Sequence, residues 1–167
     1  MASSALVLAF NLERAEQRED RSLVTELLAI VGFAMAAPAA YYASAGVWRN
    51  EALWLWGLCW AYFASSVFHV KQVVLSIQPR RLAAAKAMRR WVIAYHAALL
   101  LSLVCLVTWG VSSPLLLCAF APILWRSAWA LFRRPVRLDL RRIGILEIVY
   151  SLTFLVFTAL AFRFPAP

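Results

Sequence analysis

Charge is scarce in this sequence. Asp, Glu, Lys and Arg make up 15% of the 167 residues and hydrophobic residues 64%, against roughly 25% and 45–50% in a soluble domain. A water-soluble core of this length could not bury so much apolar side chain, so a soluble globular protein is excluded and lipid is the natural solvent. Aspartate is scarcer still. Asp20 and Asp139 stand apart in separate polar links, so no Asp-rich motif exists to hold magnesium and a diphosphate. Cysteine is limited to Cys59, Cys105 and Cys118, each inside an apolar run and without CxxC or Cys/His spacing suited to zinc. These read as buried or lipid-facing thiols and say nothing of an oxidising compartment. There is no internal repeat and no low-complexity tract. No Lys or Arg precedes the apolar residues 1–12, so the basic start of a signal peptide is missing.

What is present is a series of apolar runs of membrane-crossing length. A bilayer needs about 20 residues of helix, and five runs qualify: about 22–46, 51–70, 91–111, 113–132 and 142–162. Residues 1–12 are too short to span and read as a half-helix or interfacial segment, followed by a solvated mixed-charge link at 13–21. The fold expected is an all-α polytopic transmembrane helix bundle of five spans plus the short N-terminal half-helix, forming a single domain over residues 1–167. Pro38 should kink the first span, because proline removes one backbone donor. Gly32, Ala36, Ala40 and Ser44 lie at four-residue spacing on that span, a small-residue face that lets helices approach closely in lipid. Spans three and four are separated by almost no loop and should form a tight hairpin.

The net charge of +9 does not indicate nucleic acid. A nucleic-acid binder spreads Lys and Arg over one solvated face, whereas here they cluster in short links. Counted link by link from residue 13, Lys and Arg number 3, 1, 6, 0, 5 and 1. That alternation follows the positive-inside rule at every link, so the N-terminus is expected in the cytoplasm and the C-terminus outside. Trp48, Trp54, Trp56 and Trp109 fall near the expected outer interface, and Trp91, Trp125 and Trp129 near the inner one, the level where an apolar ring with a polar N–H prefers to sit. Residues 80–90, RRLAAAKAMRR, read as a short basic surface helix touching anionic lipid.

Ionisable groups inside spans cost roughly 2.5–3.5 kcal/mol at the bilayer centre on insertion scales, so each needs a reason. Glu26, His69, His96, Arg126 and Glu147 each lie one or two turns inside the cytoplasmic end of their own span. Together they define a candidate intramembrane polar layer. Tyr62, Ser65, Ser66 and His69 share one face of the second span, and Gly144, Glu147, Ser151 and Thr158 one face of the fifth. The face of His96 continues instead as Leu100, Leu103 and Val107. One reading pairs Arg126 with Glu147 or Glu26 to hold helices in register, with the histidines as satisfied core residues. Another makes the layer a ligand or proton-handling site. No catalytic residues and no cofactor are expected. Haem ligated by His69 and His96 is the cofactor alternative, because two histidines on consecutive antiparallel helices are the minimum it requires.

Five stretches carry a family resemblance: RSLVTELLAIVGFAMAAPAAYYASAG (21–46), FASSVFHVKQVV (63–74), WVIAYHAALLLSLV (91–104), AFAPILWRSAWALFRRP (119–135) and RRIGILEIVYSLTF (141–154). The chain resembles the YwiC-like bacterial integral membrane proteins over nearly its whole length, matching the latter two-thirds of a member. The family's N-terminal helices, with their Glu-His-Gly-Ala-Trp signature, have no counterpart here, so a shortened member or one with a misplaced start is expected. The resemblance implies topology and a bacterial inner membrane more than an activity. The function expected is a non-catalytic accessory subunit or assembly factor, with membrane lipid, other transmembrane subunits or a second copy as partners. The alternative is a membrane enzyme or small transporter handling an isoprenoid- or quinone-like substrate at the polar layer. Against the enzyme stands the missing Asp-rich motif of UbiA-type prenyltransferases, and against the transporter the absence of an inverted repeat.

Overall fold

The computed structural model describes residues 23–78, 81–132 and 140–163. The expected half-helix at 1–12 and link at 13–21 lie outside the described residues. Among these residues all regular structure is helical: α1 (Leu23–Ala34), α2 (Ala36–Ala45), α3 (Asn50–Ser76), α4 (Leu82–Thr108), α5 (Leu115–Phe132) and α6 (Leu140–Arg163). Taking α1 and α2 together as Leu23–Ala45, five segments are long and apolar enough to cross a membrane. The chain divides into two compact units, Met1–Trp60 and Ala61–Pro167, with α3 beginning in the first and ending in the second.

In the first unit the break between α1 and α2 follows from Pro38. Proline has no N–H for the Ala34 carbonyl, and its ring collides with that carbonyl in a straight helix. The helix gives way at Met35, directly after Ala34. There the Met35 N–H turns to Gly32 O at 3.2 Å, which leaves the Val31 carbonyl without its usual donor four residues on. The indole N–H of Trp56 supplies one at 3.2 Å. Trp56 is therefore turned onto the kink rather than out to an interface, unlike Trp48 and Trp54, which are half exposed. Beyond α2, Gly46 adopts φ 69° and its N–H closes on Tyr42 O at 2.9 Å, a left-handed end that glycine enters without a Cβ clash.

The second unit packs the later part of α3 with α4, α5 and α6. Its core is aromatic and aliphatic, with Tyr62, Leu103, Leu116, Phe120 and Ile123 essentially inaccessible. On α6 the stripe Ile145, Ile148, Leu152 and Leu155 stays exposed, while Phe154, Thr158 and Ala161 are buried. An apolar outside around a partly polar inside is the arrangement lipid permits and water does not.

Several span limits differ from the sequence expectation. The second helix runs to Ser76 rather than 70, since no breaker occurs before Pro79. The third starts at Leu82 rather than 91: the basic stretch is not a separate surface helix but the first turns of α4, continuous because its alanines are strong helix formers. At 27 residues each, α3 and α4 are about 40 Å long and exceed a hydrocarbon core of about 30 Å. At its other end α4 stops at Thr108 rather than 111, because Gly110 (φ 68°) turns left-handed and Val111 N–H reaches back to Leu106 O at 2.9 Å. Buried Ser113 then accepts from Leu115 N–H at 3.4 Å, and Pro114 precedes the first residue of α5, the residue types that start helices.

Candidate functional site

Several polar residues of the second unit meet in one region of the bundle. Arg126 on α5 and Glu147 on α6 form an ion pair, Arg126 Nη1 to Glu147 Oε1, with side chains 10% and 26% exposed. The other carboxylate oxygen, Oε2, accepts from Ser66 Oγ of α3 at 3.0 Å. Ser66 in turn receives a long 3.5 Å contact from Arg126 Nη2. The three side chains, one from each of three helices, thus close a ring. The guanidinium carbon lies 5.4 Å from the centre of the Tyr150 ring, within cation–π range. Charge, hydrogen bonding and quadrupole all act on Arg126, as an always-protonated side chain in a low-dielectric bundle requires.

His96 is held by a second pair of bonds. Its Nδ1 lies 2.7 Å from Val92 O and its Nε2 2.8 Å from Ser65 Oγ. A carbonyl can only accept, so Nδ1 carries the hydrogen, and in the neutral ring Nε2 accepts from the Ser65 hydroxyl. Both ring nitrogens are engaged within the bundle. Next to it, Tyr95 donates to Ala61 O at 2.6 Å and stacks on Phe68 at 4.6 Å.

One to two turns from this ring, toward the α4–α5 turn, lies a layer of aromatics. Tyr62 stacks on Phe154 with centroids 4.3 Å apart, and Phe120 meets Phe154 edge-on at 5.3 Å. Tyr62 keeps its hydroxyl 3.3 Å from Ser151 Oγ. Phe120 precedes Arg126 by six residues, and Phe154 follows Glu147 by seven, placing them about 9–11 Å along their helices. These buried rings lie between the polar ring and the turn end of the bundle.

The sequence-derived layer is therefore distributed as follows. Arg126 and Glu147 meet directly, and His96 bonds to Ser65, the neighbour in sequence of Ser66. His69 sits half-buried one turn further toward the α3–α4 link, within electrostatic range of Arg126 and His96. The α3 residue that touches the ion pair is Ser66, not His69. Glu26 is a half-buried residue in the first turn of α1, in the other unit. Among the described residues no three His, Cys, Asp or Glu side chains gather as a metal site. Pro122 lies inside α5, four residues before Arg126, and leaves the Cys118 carbonyl without a helical donor. No protein-family model, no curated protein and no solved structure matches this chain.

Proposed function

We propose that this chain is a non-catalytic accessory subunit or assembly factor of a membrane complex in a bacterial inner membrane, with its N-terminus in the cytoplasm. The observation carrying this reading is that the two side chains best suited to act as a general base at this layer are engaged within the bundle: Glu147 with Arg126 and Ser66, and His96 with Ser65 and Val92. A catalytic base or nucleophile would instead point at space for a substrate. The Lys/Arg alternation supports the orientation, and the likeness to YwiC-like proteins supports the bacterial assignment. Association is supported by the small-residue face of the first span, where Gly32, Ala36, Ala40 and Ser44 are all exposed, the geometry through which helices pack closely in lipid.

Purification from mild detergent, followed by mass spectrometry of the intact assembly, tests this reading. A stoichiometric transmembrane partner or a second copy is expected, and Ala36→Leu should loosen it by overpacking the contact. A strictly monomeric protein, unchanged by Ala36→Leu, would remove the basis for an accessory role. The competing reading, a membrane enzyme or transporter for a lipophilic substrate, draws support from the quarter exposure of Glu147. It predicts instead that an isoprenoid or quinone co-purifies.

A further inference from the structure

The guanidinium of Arg126 is not fully used by its neighbours. Its Nη1 pairs with Glu147 and its Nη2 makes only the 3.5 Å contact with Ser66. Its Nε is buried and has no hydrogen-bond partner among the described residues. The Nε and Nη2 groups form one straight edge of the planar fork, the edge that grips carboxylates and phosphates through two parallel N–H bonds. A buried cationic N–H seldom goes unpaired. The side chain that bears it is nine-tenths buried.

From this we infer that Arg126 forms an oxyanion-binding site in which Glu147 is a built-in, displaceable counter-ion. Two features support exchange. The carboxylate of Glu147 divides its oxygens between Arg126 and Ser66, and although its Oε1 is buried the side chain is a quarter exposed, so the carboxylate has an exposed side toward which it can turn. The aromatic layer of Tyr62, Phe120 and Phe154 lies on the turn side of the ring, so the inferred approach of the anion is from the opposite side, on which His69 also sits. Ser66 stays in place as a hydroxyl donor to the incoming oxyanion, as it now donates to Glu147. The ligand group is a phosphate- or sulfate-like oxyanion, supplied by a lipid headgroup or by a free anion. This inference rests on the geometry of the ring and not on the accessory role.

The test compares two sources on the purified full chain. Sodium sulfate is titrated against sodium chloride at equal ionic strength in dodecyl maltoside, with the unfolding temperature recorded. In parallel, the chain is placed in nanodiscs of phosphatidylcholine containing stepwise increasing fractions of phosphatidylglycerol. A saturable stabilisation is expected in one arm, and the arm identifies the source; the general salting effect of sulfate rises without saturating. Glu147→Gln removes the competing charge and should lower the half-saturating concentration about tenfold, equivalent to about 1.4 kcal/mol. Arg126→Lys keeps the charge but loses the planar edge, and should abolish the effect. The inference fails if neither arm saturates, or if Arg126→Lys responds like the unaltered chain. Should Arg126→Lys not fold, Glu147→Gln decides alone: an unchanged half-saturation overturns the site.

Discussion

Replacing Arg126 and Glu147 by leucine, singly and together, probes the centre of the bundle. Breaking a dry ion pair by removing one partner costs about 3–5 kcal/mol, because the survivor is left as an uncompensated charge. The two survivors here are not equivalent. Glu147→Leu strands Arg126, which is 10% exposed, and should cost about 3 kcal/mol. Arg126→Leu strands Glu147, which is 26% exposed and keeps the Ser66 hydroxyl at 3.0 Å. Partial hydration and that remaining bond should hold the cost to about 2 kcal/mol. The double variant buries two apolar side chains and leaves only Ser66 without its acceptor, a penalty of about 1 kcal/mol. A coupling energy of about 4 kcal/mol is therefore expected, somewhat above the usual range for residues in direct contact. The assay is reversible unfolding in mixed dodecyl maltoside and dodecyl sulfate micelles, followed by tryptophan fluorescence. Additive losses would mean that the two side chains do not share an interaction, and the reasoning about the ring would be refuted.

The remaining predictions are separate. In a chain lacking Cys59, Cys105 and Cys118, which are free thiols, a cysteine at exposed Asn50 should label from the periplasm. One at exposed Ala84 should label only after the membrane is opened, and the reverse pattern would invert the orientation. Tyr62→Ala should cost about 3–5 kcal/mol by opening a cavity against Phe120 and Phe154. Tyr62→Phe should cost about 1 kcal/mol or less, since it loses only the 3.3 Å contact with Ser151; equal costs would mean the hydroxyl, not the ring, matters there. The pure protein should show no Soret band, given that both His96 nitrogens are bonded within the bundle. A Soret band that vanishes in His96→Ala would show that those bonds yield to iron.

Much of the architecture is local in origin and so readable from the sequence. Five helices of crossing length follow from apolar runs, because a segment in lipid must satisfy its own backbone hydrogen bonds. The break near Pro38 and the turn at Gly110 follow from single residues with unusual backbone chemistry. That Arg126 requires a partner is equally a sequence-level fact, since its charge cannot be titrated away. Which groups serve is a tertiary matter. Glu26 and Glu147 are equal carboxylates on paper, and it is the packing of α6 on α5 that brings Glu147 to Arg126. Likewise His69 looks the natural α3 contribution, yet the rotation of α3 turns Ser66 onto the ion pair and Ser65 onto His96. The Trp56 bond to Val31 was hidden for the same reason: the freed carbonyl exists only once α1 has broken. Periodicity tells which residues share a helix face, but only the packing of the helices decides which faces meet.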